Sequence, residues 1–347
     1  MRTRAIFVGT VLTAAMVAVF AAQPGAQGGQ YSFIKEIKIG GDGGWDYLNV
    51  DSAAKRLYVS HATKAVVVDT AKDAVIGEIA DTPGIHGAIA AGPGRIATSN
   101  GRGNNASIVD DKTFQTLTKV ETEGNPDFIM WEPKQKEVYT FNGRGSSATV
   151  IDVGASKVVA TIPLGGKPEA GQPDPAAGRV YVNIEDKNNV AAIDIATHKV
   201  VANWPIAPGE SASGLAIDIK NHRLFIGAAN KLLLMMDSTN GNIVGQVPEC
   251  AGVDSTWFDP ATNLAFSSCG DGTVTIAHED SPTKLTVVQT LKTSQGARTM
   301  ALDAATHRIY LAAAEYGPPP ADAPAGRGRP TIIPNSMKIL VYGLDGK

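Results

Sequence analysis

Short apolar runs recur along this chain, each bounded by a glycine-led turn at one end and a small acidic turn at the other. The first set is Tyr47–Val50, Leu57–Ser60, Ala65–Asp69 and Ala74–Ile79, with Asp51-Ser-Ala-Ala-Lys-Arg56 and Thr70–Asp73 as connections. The order returns as Asp174-Pro-Ala-Ala-Gly-Arg179 before Val180-Tyr-Val182, and as Asp303-Ala-Ala-Thr-His-Arg308 before Ile309-Tyr-Leu311. Third runs end at Asp69, Asp110, Asp152, Asp194 and Asp237, 41 to 43 residues apart. The leading glycines Gly44, Gly84, Gly124, Gly166, Gly209, Gly252 and Gly296 keep nearly the same beat. A repeat of about 40–45 residues made of short strands is the signature of propeller blades. The pattern predicts an all-β fold: a seven-bladed β-propeller of four-stranded antiparallel blades over residues 33–345.

The seventh repeat stops without an outer strand, after Thr299–Asp303, Ile309–Ala314 and Met337–Tyr342. Phe33–Ile39, upstream of the first blade, supplies the missing strand and closes the ring by pairing onto the last blade, which removes a bare sheet edge. Phe33, Ile37 and Ile39 are expected on one face, with Ile34 and Lys35 breaking the alternation. The stretch 315–335 carries Pro318, Pro319, Pro320, Pro324, Pro330 and Pro334, so it reads as an insertion in the last blade and not as a packed strand. It is either a plain surface loop or a flap over the channel mouth.

Acids at turn starts have a structural role. Asp51, Asp69, Asp174 and Asp303 are expected to accept hydrogen bonds from backbone two residues on. They belong to the face opposite the glycine-led turns and are set aside as site candidates.

Composition changes the picture at the ends and in the cysteines. Arg2 and Arg4 precede an uncharged stretch, Ala5 to Ala22, with small residues at Val19 and Ala21. Residues 1–21 read as a signal peptide cut after Ala21, with 22–32 as a linker and a periplasmic or secreted destination. A retained anchor is the rival, since the stretch nearly matches a bilayer's thickness; after cleavage no membrane contact is expected. Charged residues make up 19% and the net charge is −3, so there is no electrostatic footprint for nucleic acid. The protein is expected to be a monomer. The two cysteines, Cys250 and Cys269, fall at the same end of the sixth repeat, and in an oxidising compartment a disulfide between them is expected.

The motifs Tyr58-Val59-Ser60, Ile151-Asp152, Val180-Tyr181-Val182-Asn183 and Leu215-Ala216-Ile217-Asp218 resemble those of the YVTN-repeat (YncE-like) seven-bladed β-propeller family, over essentially all of residues 33–345. The resemblance implies an exported bacterial protein in a family mostly without an assigned reaction. Lactone hydrolases and quinoprotein subunits are similar in fold. The Gly92-Pro-Gly94 turn and the long insertion depart from the pattern.

Candidate chemistry follows from the repeat. Two or three positions past the leading glycines stand Asp46, His86, Asp127, Glu169, Ser211, Asp254 and Arg298. Strand packing does not require charge there, and a ring brings these positions to one channel mouth, where convergent ionisable groups signal binding. The alternative is that each acid caps its own turn. Two loops, Asn100-Gly-Arg-Gly-Asn-Asn-Ala-Ser107 and Asn142-Gly-Arg-Gly-Ser-Ser-Ala-Thr149, bring Arg102 and Arg144 to the same rim, to grip an anion with Arg298 or to neutralise the acids. Asn183, Glu185 and Asp186 occupy the matching loop of the fourth blade.

Two divalent metal sites are conceivable, a transition metal on Asp46, His61 and His86 or calcium on Asp46, Asp127 and Glu169. His198, His222 and His307 are expected to be solvent-exposed on the opposite face, and His278-Glu279-Asp280 a polar turn there. No nucleophile elbow, phosphate loop, zinc quartet or haem-attachment motif is present. The expectation is a non-catalytic module binding a small polar molecule or peptide. The alternatives are a lactonase-like hydrolase with rim carboxylates on a metal and His86 as base, and a protein-interaction scaffold.

Overall fold

The aromatic of each Tyr-Val repeat sits at one place, the third residue of a blade's second strand. These strands are Arg56–His61, Arg95–Asn100, Glu137–Asn142, Arg179–Ile184, Arg223–Ala228, Leu264–Cys269 and Arg308–Ala313. Tyr58, Tyr139, Tyr181, Phe225, Phe266 and Tyr310 are fully buried there, and Ala97 takes the place in the second blade. A buried aromatic of this kind contributes about 1.5–3 kcal/mol, so the repeat in sequence is a repeat of interface anchors. Seven apolar clusters result, one for each pair of neighbouring blades.

The computed structural model describes residues 29–318 and 330–345. The signal peptide expected over 1–21, the first part of the linker, and residues 319–329 of the insertion lie outside the described residues. The strands form seven four-stranded antiparallel sheets, each in simple meander order except the last. That sheet takes Met300–Asp303, Arg308–Ala313 and Lys338–Leu344 from the end of the chain and Tyr31–Lys38 from its start. Among the described residues, no helix is long and apolar enough to cross a membrane.

The closing strand begins two residues earlier than the sequence pattern placed it. Tyr31 is buried, and its backbone N–H and C=O bond the Gln289 side chain of the sixth blade at 2.9 and 2.8 Å. A register shift between Phe33 and Lys35 breaks the phase of the strand. Tyr31 therefore packs with the sixth-to-seventh-blade core, whereas Ile37 packs with the seventh-to-first. Phe33 does not share the buried face of Ile37; it is 54% exposed, against Tyr342. One extra residue in a strand moves every later side chain to the other face.

The turn acids accept backbone hydrogen bonds in their own turns, from two residues on at Asp69 and Asp303 and from three residues on at Asp51 and Asp174. Carboxylate oxygens accept from Ala54 N–H at Asp51 (3.0 Å), Ala71 at Asp69 (2.9 Å), Ala177 at Asp174 (2.9 Å) and Ala305 at Asp303 (3.1 Å). They mark the lower face of the ring, where the innermost strands end. The upper face is where those strands begin. Cys250 and Cys269 are joined there by a disulfide with Cα atoms 5.8 Å apart.

The stem of the insertion also lies on the upper face. Tyr316 bridges Ile332, Gly317 N–H donates to Thr331 C=O at 2.8 Å, and Ile333 N–H to Glu315 C=O at 2.9 Å. Asn335 ties it to the first blade through Gly41, whose N–H donates to Oδ1 at 3.0 Å.

Candidate functional site at the upper mouth of the channel

The innermost strands of blades two to six share an irregularity. Register shifts fall between Ile85 and Gly87, Pro126 and Ile129, Pro168 and Gly171, Ala212 and Leu215, and Val253 and Ser255. His86, Asp127, Glu169 and Asp254 lie inside these shifts, freed from the ladder's alternation. Bulges re-aim side chains in this way. In the fifth blade the shift contains Ser213 and Gly214, so Ser213, and not Ser211, takes the equivalent place. Asp46 and Arg298 precede the innermost strands Leu48–Asp51 and Met300–Asp303.

Polar residues from the second strands hold this rim. The residue two beyond the aromatic is Ser60, Ser99, Asn183 or Ser268 in four blades. Ser60 Oγ accepts from Asp46 N–H at 2.8 Å. Ser99 Oγ donates to the Asp127 carbonyl at 2.7 Å, and Ser268 Oγ to that of Arg298 at 2.5 Å. Asn183 Nδ2 donates to the carbonyls of Ser213 at 3.1 Å and Gly214 at 3.0 Å. Ser99, Asn183 and Ser268 thus each pin the bulge or strand start of the next blade.

Three ionic groups result. Nδ1 of His86 lies 2.6 Å from Asp46 Oδ2 and 3.2 Å from Asp127 Oδ1. Burial opposes a charged imidazole, but the hydrogen bond to Asp46 and the negative charges of Asp127 and Asp46 outweigh it and raise the His86 pKa. Burial raises Asp127, with His86 opposing and Asp46 adding to the rise. The second group is Lys167, with Nζ 2.6 Å from Glu169 and 2.5 Å from Glu185. Burial lifts the Glu169 carboxyl above its usual range, against the pull of Lys167. In the third, Arg298 Nε is 3.1 Å from Asp254 Oδ2. Burial pushes Asp254 up to about 7, with Arg298 opposing and Asp46 and Asp127 reinforcing.

Tyr47 closes the mouth from below. Its hydroxyl lies 3.4 Å from Glu169 Oε2, reaching from the first blade to the fourth, and its ring meets Phe128 edge-on at 4.9 Å. Burial and the carboxylates of Glu169, Asp254, Asp127 and Asp46 hold its phenol far above its usual pKa. Beneath the charged rim lies a small channel space of about 30 Å³, lined mostly by apolar groups including Ile129, Leu215, Trp257 and Met300.

The arrangement corrects several expectations. Arg102 and Arg144 are exposed, lie against Gly84 and Gly124, and join none of the ion pairs among the described residues, so they do not neutralise the rim acids. Gly84 has φ +65°, and a Cβ there would sit 2.5 Å from Arg102 Cγ, so this turn requires glycine. His61 does not join Asp46 and His86. It is 1% exposed beneath the Gly40–Gly44 turn, where burial lowers its pKa against the opposing backbone groups of Gly44 and Gly40. Asp127 takes its place: ligand-capable atoms of Asp46, His86 and Asp127 lie within 4.8 Å of one another. The calcium trio is split, because Glu169 is engaged by Lys167.

On the lower face, His222 is exposed, but His198 and His307 are not free in solvent. His198 Nε2 is 2.9 Å from Glu137 and His307 Nδ1 is 2.6 Å from Asp259. The run His278-Glu279-Asp280 lies within the strand Thr273–Ser281 and is not a turn. Tyr47, Lys167 and Phe128 are rim groups that sequence reasoning missed. Each is adjacent to, or two positions from, a named acid, and that proximity was the available signal.

With the ring and its mouth described, the chain is defined as a seven-bladed β-propeller. In fold it is similar to a chain in the crystal structure of the mitotic checkpoint complex, at 12% identity and TM-score 0.74, over 97% of this chain and 99% of that one. It is also similar to a chain of Kuenenia stuttgartiensis hydrazine synthase, at 16% identity and TM-score 0.64, over 78% and 92% of the two chains. No family model matches the chain, and no curated protein matches it. At these identities the likeness speaks for the fold alone.

Proposed function

We propose that the protein is an exported, monomeric binding propeller of the YVTN-repeat (YncE-like) type, which captures a small polar molecule or peptide at the upper mouth of its channel without chemistry. The carrying observation is that charged side chains from blades one, two, three, four, six and seven meet above a floor made by Tyr47 and Phe128. Four of the acids are lifted from alternation by bulges or precede a strand, so the sheet does not need their charge. Both signs are present: the carboxylates suit an amine, and Arg298 and Lys167 suit a carboxylate. The ligand class that fits is therefore zwitterionic. Export rests on the charge pattern of the first residues, and the family assignment on the Tyr-Val repeats.

The test is calorimetry with a panel of short peptides and zwitterionic small molecules. Saturable binding that is lost in Asp254→Ala and Arg298→Ala supports the reading. A panel with no binder, or binding unchanged in both variants, overturns it. A second reading, a lactonase-like hydrolase, is favoured by the grouping of Asp46, His86 and Asp127; turnover of a lactone by the purified protein would select it. A third, a protein-interaction scaffold, is a use that the propeller fold itself allows.

A further inference from the structure

We infer that Asp46, His86 and Asp127 form a binding site for one divalent transition-metal ion of the zinc type. The inference deepens the reading of the channel mouth as the functional site and rests on it.

The geometry begins with the imidazole. Nδ1 of His86 faces two carboxylate oxygens, at 2.6 and 3.2 Å, from two other blades. The other nitrogen, Nε2, and Asn125 Oδ1 both border Gly101, where each would fall within 2.9 Å of an added Cβ, and the Asn125 side chain is among the groups that favour the charged imidazole. Asn125 is itself fixed, its N–H donating to Asn104 Oδ1 at 2.9 Å and its C=O accepting from Gly143 N–H at 2.9 Å. An Nε2–H donated to Asn125 leaves the Nδ1 lone pair pointing at two anionic acceptors. That arrangement needs a cation between the three atoms, which is either a single proton or a metal ion.

A proton satisfies it incompletely. One N–H cannot bond both carboxylates well, and two negative charges remain against one positive. A divalent ion balances both carboxylates and accepts the Nδ1 lone pair. Zinc–ligand bonds of about 2.0–2.1 Å place neighbouring ligands about 3–3.5 Å apart. The 3.2 Å separation already matches, and the 2.6 Å contact opens by less than an ångström when the shared proton leaves. One nitrogen and two oxygens suit zinc, manganese or iron better than calcium, which takes oxygen ligands only. Asn125 plays the part usual for a group behind a metal-bound histidine, fixing tautomer and ring orientation. Three protein ligands at a channel mouth leave coordination positions open to a ligand's oxygen.

The experiment uses the full chain, stripped with chelator and dialysed, and titrates Zn²⁺ by calorimetry, with Co²⁺ absorption as a second readout. The expected result is one equivalent bound, with cobalt d–d bands of mixed nitrogen and oxygen ligation. His86→Ala should weaken binding at least 100-fold and abolish the bands, and Asn125→Ala should weaken it about 10–100-fold. His222→Ala, at the exposed histidine of the lower face, should leave the isotherm unchanged. Circular dichroism checks folding, and Asp127→Asn replaces His86→Ala if that variant does not fold. Absence of a one-equivalent isotherm, equal affinity in His86→Ala, loss in His222→Ala, or binding of Ca²⁺ in preference to Zn²⁺ would each overturn the inference. If zinc fails to bind while peptides still bind the mouth, this inference falls and the broader reading stands.

Discussion

The hydroxyl of Tyr47 reaches 3.4 Å from Oε2 of Glu169, so that a side chain of the first blade meets one of the fourth across the channel. A propeller makes this contact possible, because its innermost strands all face one axis. The contact turns an open pore into a cup with charged walls. Tyr47→Phe should keep the cup, since the ring and its contact with Phe128 persist. Chemical denaturation should show a change below about 1 kcal/mol for a long, partly solvated hydrogen bond. Tyr47→Ala should cost more, on the order of 3 kcal/mol for an aromatic removed from its packing.

The rim is held by buried amides and hydroxyls, and Asn183 is the clearest case. It is fully buried and donates to two carbonyls of the fifth-blade bulge. Asn183→Ala leaves both carbonyls without their donor, and the expected loss is about 1–3 kcal/mol, read from urea unfolding. Ser60→Ala, which removes one acceptor near a partly exposed turn, should lose less.

Glu249 sets a pH dependence. It is 8% exposed and its Oε1 accepts from Ala228 N–H at 2.9 Å. Burial raises its pKa from the usual 4.5 to about 8, against the opposing Ala228 hydrogen bond. Between those values the folded chain keeps a proton that the unfolded chain has lost. Stability is therefore full below the unfolded value and declines as pH rises, by up to about 1.4 kcal/mol per pH unit. Glu249→Gln should lower that slope by the share of one proton in melting curves taken from pH 5 to about 8, while the raised carboxyls of Asp254 and Glu169 keep theirs.

The disulfide closes a loop between positions 19 residues apart on the upper face. Cys250→Ser with Cys269→Ser should lower stability by about 2–4 kcal/mol, read by denaturation under oxidising conditions. The wild type in reductant should show the same loss.

The ring was legible in the sequence because blades repeat for a physical reason. Each needs an anchor such as Tyr58 or Tyr181, and a turn acid such as Asp51 or Asp174, at fixed spacing. The rim acids were legible too, by their distance from the leading glycines. What the pattern hid were the bulges. An extra residue at Ile34 reversed the faces of the closing strand, and extra residues at the strand starts brought Ser213 to the place assigned to Ser211. Tyr47 and Lys167 escaped notice because a single strand does not reveal which residues cross the pore or pair along it. His61 was misassigned because its burial beneath Gly41 depends on the turn's path: a Cβ on Gly41 would lie 2.7 Å from Nε2. His198 and His307 looked like free turn residues because Glu137 and Asp259 reach them from other segments.

A crystal structure of the protein soaked with the tightest binder of the zwitterionic panel tests the central claim most directly. The account predicts new density at the upper mouth, above Tyr47 and in contact with Arg298 or the Asp46–His86–Asp127 group. Ligand density on the lower face or along the outer strands, with the mouth unchanged, would contradict it.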